Sequence, residues 1–309
     1  MSVDPEIDVM GRQTLRFIPL SPPPFGYHKR GSQCRLANGS CENERTRKGT
    51  MMSKKINLNA DMAEGFGAYE IGDDANILKV IGSANIACGF HAGDPLTMRK
   101  IVADAKREGV SVGAHPGFND IWGFGRRRID MRADDLEYMI AYQIGALQAL
   151  AAYSDVKVTH LKPHGALNNM AAENSDYAMA IGRAIKTVDR SIIYVALAGS
   201  EMEKAGRTLG LRVAREGFCD RQYEDDGNLT SRKIQGSVIK DPVVATKQVV
   251  EMVLNNRIRS RNGKTISCTV DTLCLHGDEP TAIAVAKSVR EGLVKAGVKL
   301  VPLTEMALD

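Results

Sequence analysis

From residue 54 to the end of the chain, short apolar runs alternate with longer segments whose apolar residues recur at helical spacing. In the segment 132–152, for example, Leu136, Ile140 and Ile144 follow the pattern of one buried helix face. The short runs predict β-strands and the longer segments predict α-helices. The predicted strands are 55–60, 82–87, 110–114, 156–162, 191–197, 211–216, 270–275 and 298–302, and the predicted helices are 95–108, 132–152, 175–187, 200–208, 241–255 and 280–296.

The alternation of strands and helices predicts the fold class, because strands joined through helices usually pair in parallel. Seven or eight such units in about 255 residues match the usual size of a β/α barrel. A doubly wound sheet is the alternative, but no glycine-rich fingerprint follows the first predicted strand. The segment 262–265 resembles the end of a P-loop, but Ile258 replaces its first glycine, so we interpret it as a turn.

Residues 1–50 differ in composition from the rest of the chain. They contain three consecutive prolines and many Arg, Ser and Gly residues, without a sustained hydrophobic period. They lack the apolar core of about 7–15 residues that a secretory signal needs, and their early acidic residues argue against a transit peptide. We expect a disordered or non-native extension here, which a start codon placed too early before Met51 would explain, and a single catalytic barrel over 51–309.

The charge distribution bears on the class of partner. The chain carries a formal net charge of +4, but residues 1–50 hold eight Lys/Arg against five acidic residues, so 51–309 carries only +1. A nearly neutral body is not typical of a nucleic-acid-binding protein. No apolar run approaches the ~18 residues that a membrane span needs. The six cysteines are scattered without CxxC spacing, which favours reduced thiols in a cytoplasmic protein.

Polar residues recur on one face of five predicted strands. Successive strand residues point to opposite sides, so one face of each strand is apolar and the other is small or polar. Four of these polar faces run into an ionisable residue at the carboxyl end of the strand. Because such ends meet at one mouth of a parallel barrel, the pattern predicts a single polar site there. The polar faces comprise Asn57, Asn59 and Asp61; Ser83 and Asn85; Ser111, Gly113 and His115; His160, Lys162 and His164; and Thr272, Cys274 and His276.

Asp61, His91 and His115 follow three neighbouring predicted strands. One carboxylate and two imidazoles suit zinc or another divalent ion. The same groups also suit general acid/base work at neutral pH, and no HxxxH or HExxH spacing decides between the two interpretations. His160 lies deeper in its strand, where a structural role is the simpler interpretation.

Further candidates lie in the loops after the strands. Asp94 and Asp278 each follow a histidine and precede a proline, so helix capping, worth ~1 kcal/mol, competes with a role in the site. Arg126 and Arg127 sit in a glycine-rich loop that suits carboxylate or phosphate recognition, although a solvated charge run has the same pattern. Lys162 suits binding of an oxyanion or base catalysis. Two carboxylates and an arginine near the sixth predicted strand are Glu216, Asp220 and Arg221.

Taken together, these motifs resemble the LamB/YcsF family, from about residue 56 to the end of the chain. The resemblance is specific because many short segments occur in the same order, whereas residues 1–50 lie outside it. The segments are 59–67 (NADMAEGFG), 83–95 (SANIACGFHAGDP), 113–116 (GAHP), 123–127 (GFGRR), 162–167 (KPHGAL), 218–221 (FCDR) and 276–278 (HGD).

The resemblance implies an irregular seven-stranded β/α barrel similar to the polysaccharide deacetylase barrels. It also implies hydrolysis of 5-oxo-L-proline to L-glutamate, coupled to hydrolysis of ATP to ADP and phosphate. The chain would be the A subunit of a 5-oxoprolinase that also contains subunits B and C. Because the chain has no recognisable ATP motif, we expect the nucleotide to bind mainly to these partners.

Roles follow from combining the resemblance with the residues. Asp61, His91, His115 or His164 would act as general base, and Lys162 and Arg127 would hold a carboxylate or a phosphorylated oxygen. The alternatives are a stand-alone metal-dependent amidase or carbohydrate deacetylase, and a subunit that only binds a ligand. The catalytic candidates are Asp61, His91, His115, Lys162, His164, Asp220 and His276; the substrate-binding candidates are Asn59, Glu64, Asn85, Arg126, Arg127, Glu216, Arg221 and Asp278.

Overall fold

The computed structural model describes residues 54–276 and 281–308. Within them the predicted alternation of strands and helices is confirmed, with boundaries shifted by one to three residues at most ends. The strands are β1 (Lys55–Met62), β2 (Ser83–Ala87), β3 (Ser111–His115), β4 (Val158–Leu161), β5 (Ile193–Leu197), β6 (Val213–Phe218), β7 (Arg257–Arg259), β8 (Thr265–Ser267), β9 (Thr272–Leu275) and β10 (Lys299–Leu300). The helices are α1 (Asp74–Ile77), α2 (Pro95–Glu108), α3 (Ala133–Ala152), α4 (Gly165–Glu173), α5 (Ser175–Val188), α6 (Glu201–Thr208), α7 (Pro242–Asn255) and α8 (Ala282–Lys295).

Seven parallel strands close into a barrel in the order β1-β2-β3-β4-β5-β6-β9, and β9 pairs back with β1. The predicted seven-stranded β/α barrel is therefore confirmed, and a doubly wound sheet is excluded by the closure. The barrel is irregular, since the register between β3 and β4 shifts at Val112 and Gly113. The predicted strand 298–302 is reduced to β10, which pairs with the start of β1 outside the closed ring.

The two faces of β1 show how the sequence pattern builds the barrel. Ile56, Leu58 and Ala60 are fully or almost fully buried in the apolar core between the strands and the helices. The alternate residue Asn57 is equally buried, but its side chain bonds to Ser83 and accepts from Thr272 inside the barrel. Strand residues of opposite parity thus separate an apolar outer layer from a polar interior.

Two helices and one hairpin of two strands were not predicted from the sequence. Helix α4 begins directly after His164, and the antiparallel hairpin β7–β8 precedes β9. The predicted turn at 262–265 is the connection of this hairpin, where Ser260 N–H donates to the Lys264 carbonyl. The short helix α1 follows β1 and carries Asp74, whose carboxylate accepts from the Ala63 N–H.

Some sequence predictions fall outside the described residues, namely the whole extension 1–50 and Asp278. Among the described cysteines, Cys88, Cys219, Cys268 and Cys274 are free thiols, as expected. No helix in the described part of the chain is long and apolar enough to cross a membrane.

Candidate active site

The carboxyl ends of the barrel strands open into a cavity of about 500 Å³. Its lining includes seven predicted site residues, which lie at the ends of β1, β3, β4, β6 and β9 or in the loops after them, so one polar mouth brings them together. They are Asp61, Glu64, Arg126, Lys162, His164, Arg221 and His276. A neighbouring cavity of about 620 Å³ lies beside the β7–β8 hairpin, where Glu173, Glu201, Glu203 and Asp226 give it an acidic lining.

Lys162 forms the centre of a buried charge network on one side of the mouth. Its Nζ donates to Asp61 Oδ1 at 2.8 Å and to Cys274 Sγ at 2.9 Å, and it lies 3.3 Å from Glu216 Oε1. Burial alone would raise the pKa of Asp61, but the neighbouring His115 and Lys162 hold it well below its usual range. Burial would lower the pKa of Lys162, yet Asp61 raises it well above the ordinary value. Both groups are therefore charged at neutral pH.

Two amides lie beneath this network and fix its orientation. Asn85 Nδ2 donates to Asn59 Oδ1 at 2.8 Å and to Asp61 Oδ1 at 2.9 Å. Asn59 Nδ2 in turn donates to Glu216 Oε1 at 3.1 Å. His160, whose Nε2 lies 3.1 Å from Asn85 Oδ1, completes the layer inside the barrel. Asn59 and Asn85, predicted as substrate-binding residues, are fully buried below the carboxylates.

On the other side of the mouth, Glu64 meets three histidines. Its Oε1 lies 3.1 Å from His164 Nδ1, 3.5 Å from His91 Nε2 and 3.9 Å from His115 Nε2. All four side chains are buried, and their ligand atoms lie within 4.8 Å of one another. The set could hold a metal ion. It differs from the predicted set, because Asp61 approaches only His115, at 3.3 Å, and its other oxygen is held by Lys162.

The histidine rings are fixed by close packing. His91 stacks on His164 with ring centroids 3.7 Å apart. Glycines cover the rings: a Cβ at Gly117 would lie 2.6 Å from His91 Nδ1, and one at Gly125 would lie 2.8 Å from His164 Cδ2. Burial lowers the pKa of His91 to about 3. Neither ring nitrogen of His91 has a hydrogen-bond partner, and a buried polar group without one costs ~1–3 kcal/mol.

His276 and Asp220 form a separate pair at the mouth. His276 Nδ1 lies 2.8 Å from Asp220 Oδ2, and its ring stacks on Phe218. Burial would raise the pKa of Asp220, but His276 lowers it below the usual range. The pair is therefore an imidazole oriented by a carboxylate beside the cavity, a contact between two catalytic candidates that was not predicted from the sequence.

The two neighbouring arginines of the glycine-rich loop have different positions. Arg126 lines the cavity, whereas Arg127 is largely exposed, pairs with the buried carboxylate of Asp120 and is not among the residues that line it. Arg221 also lines the cavity, and its guanidinium donates to the Thr230 carbonyl. Burial lowers the pKa of Arg221 to about 10.

Some residues that line the cavity were not predicted from the sequence. The loop after β6 contributes Thr230, Arg232 and Lys233, and the first turn of α4 contributes Asn168. A usable signal exists for the two cations, since Arg232 and Lys233 are adjacent in a segment without hydrophobic period between a predicted strand and helix. Asn168 follows the KPHG motif within one helical turn, which is a weaker signal.

Comparisons with known proteins agree with this architecture. The model of the LamB/YcsF family matches residues 56–308. A protein of Rhodopseudomonas palustris (strain BisB5), named as the A subunit of 5-oxoprolinase, is 51% identical over 249 residues, which cover 80% of this chain and 98% of that protein. A protein of the same name from Natranaerobius thermophilus is 47% identical and covers 79% of this chain and 95% of its own length.

A solved structure matches as well. The crystal structure of the lactam utilization protein from Thermus thermophilus superposes with a TM-score of 0.76 at 41% identity. The match covers 80% of this chain and 99% of that chain.

Proposed function

The chain belongs to the LamB/YcsF family, and on this premise we propose that it is the component of an ATP-dependent 5-oxoprolinase that opens the lactam ring. The substrate would be 5-oxo-L-proline and the product L-glutamate, with ATP bound mainly by partner subunits B and C. Two relatives carry the name of the A subunit of 5-oxoprolinase and the solved structure that of a lactam utilization protein, and these names support the substrate class.

The observation that carries the proposal is the composition of the mouth. One cavity brings together an ionised carboxylate, a buried ammonium and several guanidinium groups. Its volume of about 500 Å³ is in the usual range for small-molecule sites. Cationic side chains suit the carboxylate of an oxoproline and the oxyanion of an activated lactam, because charge-assisted hydrogen bonds are the stronger ones. The cations that line it are Arg126, Lys162, Arg221, Arg232 and Lys233.

The chemistry requires an energy source because a five-membered lactam is an unactivated amide. Transfer of the ATP γ-phosphoryl group to the lactam oxygen would supply it and release ADP. Water then loses a proton to a base and adds to the lactam carbon, the carbon–nitrogen bond breaks, and the nitrogen takes up a proton. The acyl phosphate so formed releases phosphate with a second water and leaves the new carboxylate of glutamate.

We assign the base to Asp61 and the proton donor to His276. Asp61 Oδ1 is occupied by Lys162 and Asn85, so the carboxylate is held in place, while Oδ2 has a longer contact of 3.3 Å to His115 Nε2. His276 lines the same cavity and is oriented by Asp220. Lys162 lies beside the base, where its charge would stabilise the oxyanion that forms as water adds.

The test is oxoproline-dependent release of phosphate and glutamate by this chain together with subunits B and C. Asp61→Asn should lower kcat by ~10²–10⁴, the usual contribution of a general base. Asp135→Asn, an exposed carboxylate on α3, is the matched control and should keep the parent rate. A folded Asp61→Asn variant at the parent rate would refute the base, and no glutamate from the parent complex would refute the function.

The same assay also tests which arginine binds the substrate carboxylate, through its effect on KM. Arg221→Met should raise KM by ~10-fold or more through loss of a charge-assisted hydrogen bond. Arg127→Met should leave KM within about twofold, because Arg127 pairs with Asp120 and is not part of the cavity lining. Equal effects of the two substitutions would contradict this placement of the substrate carboxylate.

The second candidate function is a metal-dependent amidase that works without ATP or partners. The cluster of Glu64 with three histidines favours it, because such a set can hold a metal ion. The discriminating measurement is lactam or N-acetyl hydrolysis by the isolated chain. Turnover without ATP and subunits B and C would favour the amidase over the oxoprolinase.

A further inference from the structure

In the cluster of Glu64, His91, His115 and His164, two hydrogen bonds to backbone carbonyls show which ring nitrogens carry protons. His115 Nδ1 lies 2.7 Å from the Lys162 carbonyl oxygen, and His164 Nε2 lies 2.8 Å from the Phe124 carbonyl oxygen. A carbonyl oxygen can only accept a hydrogen bond, so these two ring nitrogens carry the protons. In a neutral imidazole the other nitrogen is then an acceptor with a lone pair.

The two remaining nitrogens therefore face each other with lone pairs. His115 Nε2 and His164 Nδ1 are 3.0 Å apart. Glu64 Oε1 lies 3.1 Å from His164 Nδ1 and has no hydrogen-bond partner of its own. Three acceptor atoms thus converge in a buried space with no donor between them, and such an arrangement needs a cation to be stable.

His91 lies beside the set, with its ring stacked on His164. Its Nε2 lies 3.5 Å from Glu64 Oε1, and neither of its ring nitrogens has a partner. A metal ion would accept the lone pairs of Glu64, His115 and His164 together, and His91, whose ring is stacked on His164, would join them by turning toward the ion.

The spacing fits a first-row metal ion. Tetrahedral zinc with ligands at ~2.0–2.1 Å places neighbouring donor atoms about 3.3 Å apart. Four of the donor pairs observed here are separated by 3.0, 3.1, 3.5 and 3.9 Å. Backbone carbonyls that accept from the distal N–H of a histidine are also the usual second partners of metal-bound imidazoles. Three imidazoles and one carboxylate suit zinc among divalent ions.

We propose that Glu64, His91, His115 and His164 bind one divalent transition-metal ion, with zinc as the preferred ion. The ion would be reached from the cavity, since Glu64 and His164 both line it. This assignment goes beyond the proposed lactam cleavage. It concerns binding alone, so it can fail or succeed independently of the reaction.

The test is metal content and affinity of the full chain. The protein is stripped with a chelator, incubated with Zn²⁺ or Co²⁺, desalted and analysed by mass spectrometry of the metal. We expect one equivalent per chain and a rise in melting temperature on addition of Zn²⁺. His91→Phe, which keeps a ring stacked on His164, and Glu64→Gln should each weaken binding by at least ~10-fold.

A second candidate group nearby provides the matched control. Asp61, Cys274 and His276 also bring their ligand atoms within 4.8 Å. His276→Gln should keep one equivalent of metal, and the Co²⁺ form should show no thiolate charge-transfer band. Three results would each overturn the proposal. The parent protein could hold less than a tenth of an equivalent of metal, or both ligand variants could retain all of their metal. The third is a thiolate charge-transfer band in the parent together with loss of metal in His276→Gln.

Discussion

Replacement of Lys162 by methionine tests the buried charge network directly. Lys162 is only 2% exposed, and its ammonium lies between Asp61 and Glu216. Methionine keeps most of the stem volume but removes the charge, so Asp61 is left buried without its nearest cation. Removal of one partner from a buried ion pair typically costs about 3–5 kcal/mol. We expect Lys162→Met to lower the free energy of unfolding by about this amount at neutral pH.

The measurement is urea unfolding followed by far-ultraviolet circular dichroism. Fluorescence of Trp122 is a poor reporter, because this side chain is 95% exposed in the native protein. Lys79→Met, at an exposed position on the surface, is the control and should change stability by less than about 0.5 kcal/mol.

A double variant separates charge from packing. Lys162→Met combined with Asp61→Asn removes both charges of the pair, so it should recover more than about 1 kcal/mol relative to Lys162→Met alone. If Lys162→Met lies within about 1 kcal/mol of the parent, or if the double variant loses the sum of both single effects, the network is not the stabilising unit described here.

Two further predictions concern stability alone. Gly113→Ala would place a Cβ 2.2 Å from the His160 ring, so it should destabilise the protein by about 1–3 kcal/mol. In the control variant Gly145→Ala, the new Cβ on α3 meets nothing within 4 Å, so this substitution should be neutral or stabilising. Equal melting temperatures for the two variants would contradict the close approach at Gly113. Burial raises the pKa of Asp74 to about 6, so the native state retains a proton that the unfolded state has lost, and stability falls as pH rises from about 4 to 6. Asp74→Asn should therefore gain up to about 3 kcal/mol over the parent above pH 6 and nothing near pH 3.5, and a pH-independent difference in melting temperature would refute this assignment.

The alternation of strand residues made the barrel predictable. Leu58 and Asn59 lie on opposite faces of β1, and this local rule already separates the outer core from the polar interior. The closure of the ring is different, because it depends on the pairing of β1 with β9, more than 200 residues apart in sequence. No local pattern encodes such a pairing, so the pattern predicted seven or eight strands but left a doubly wound sheet as the alternative to a closed barrel. Helix α4 was missed for a local reason: Gly165 begins it with a φ of +52°, directly after a motif interpreted as a loop.

The contacts within the candidate site could also be predicted from the sequence only in part. The sequence placed histidines at strand ends, but it could not show that Glu64 joins His91, His115 and His164. Glu64 lies two residues beyond the end of β1, after Ala63 with a φ of +59°, outside the alternation of strand residues on which the prediction rested. The two arginines differ for a similar reason. The backbone has a positive φ at both Phe124 and Gly125, and of the two arginines that follow, Arg126 lines the cavity whereas Arg127 pairs with Asp120.

The polarity of the barrel interior increases from bottom to mouth, and this gradient explains how the site tolerates so many buried charges. At the bottom, Asn57 is satisfied by the hydroxyl groups of Ser83 and Thr272, which are all neutral. One layer higher, the neutral amides of Asn59 and Asn85 donate to the carboxylates of Glu216 and Asp61. Each buried carboxylate is therefore stabilised by a hydrogen bond from a neutral group as well as by the Lys162 ammonium.

At the mouth the charges divide into two halves that meet where Asp61 Oδ2 lies 3.3 Å from His115 Nε2. One half carries the Lys162 ammonium, and the other presents only acceptor atoms from Glu64 and the histidines. The first half holds its own cation and therefore suits an anionic substrate. The second half has no Lys or Arg among Glu64 and the histidines, so it would bind a cation from solution. A metal ion bound there would lie directly beside Asp61, the carboxylate that we propose as base.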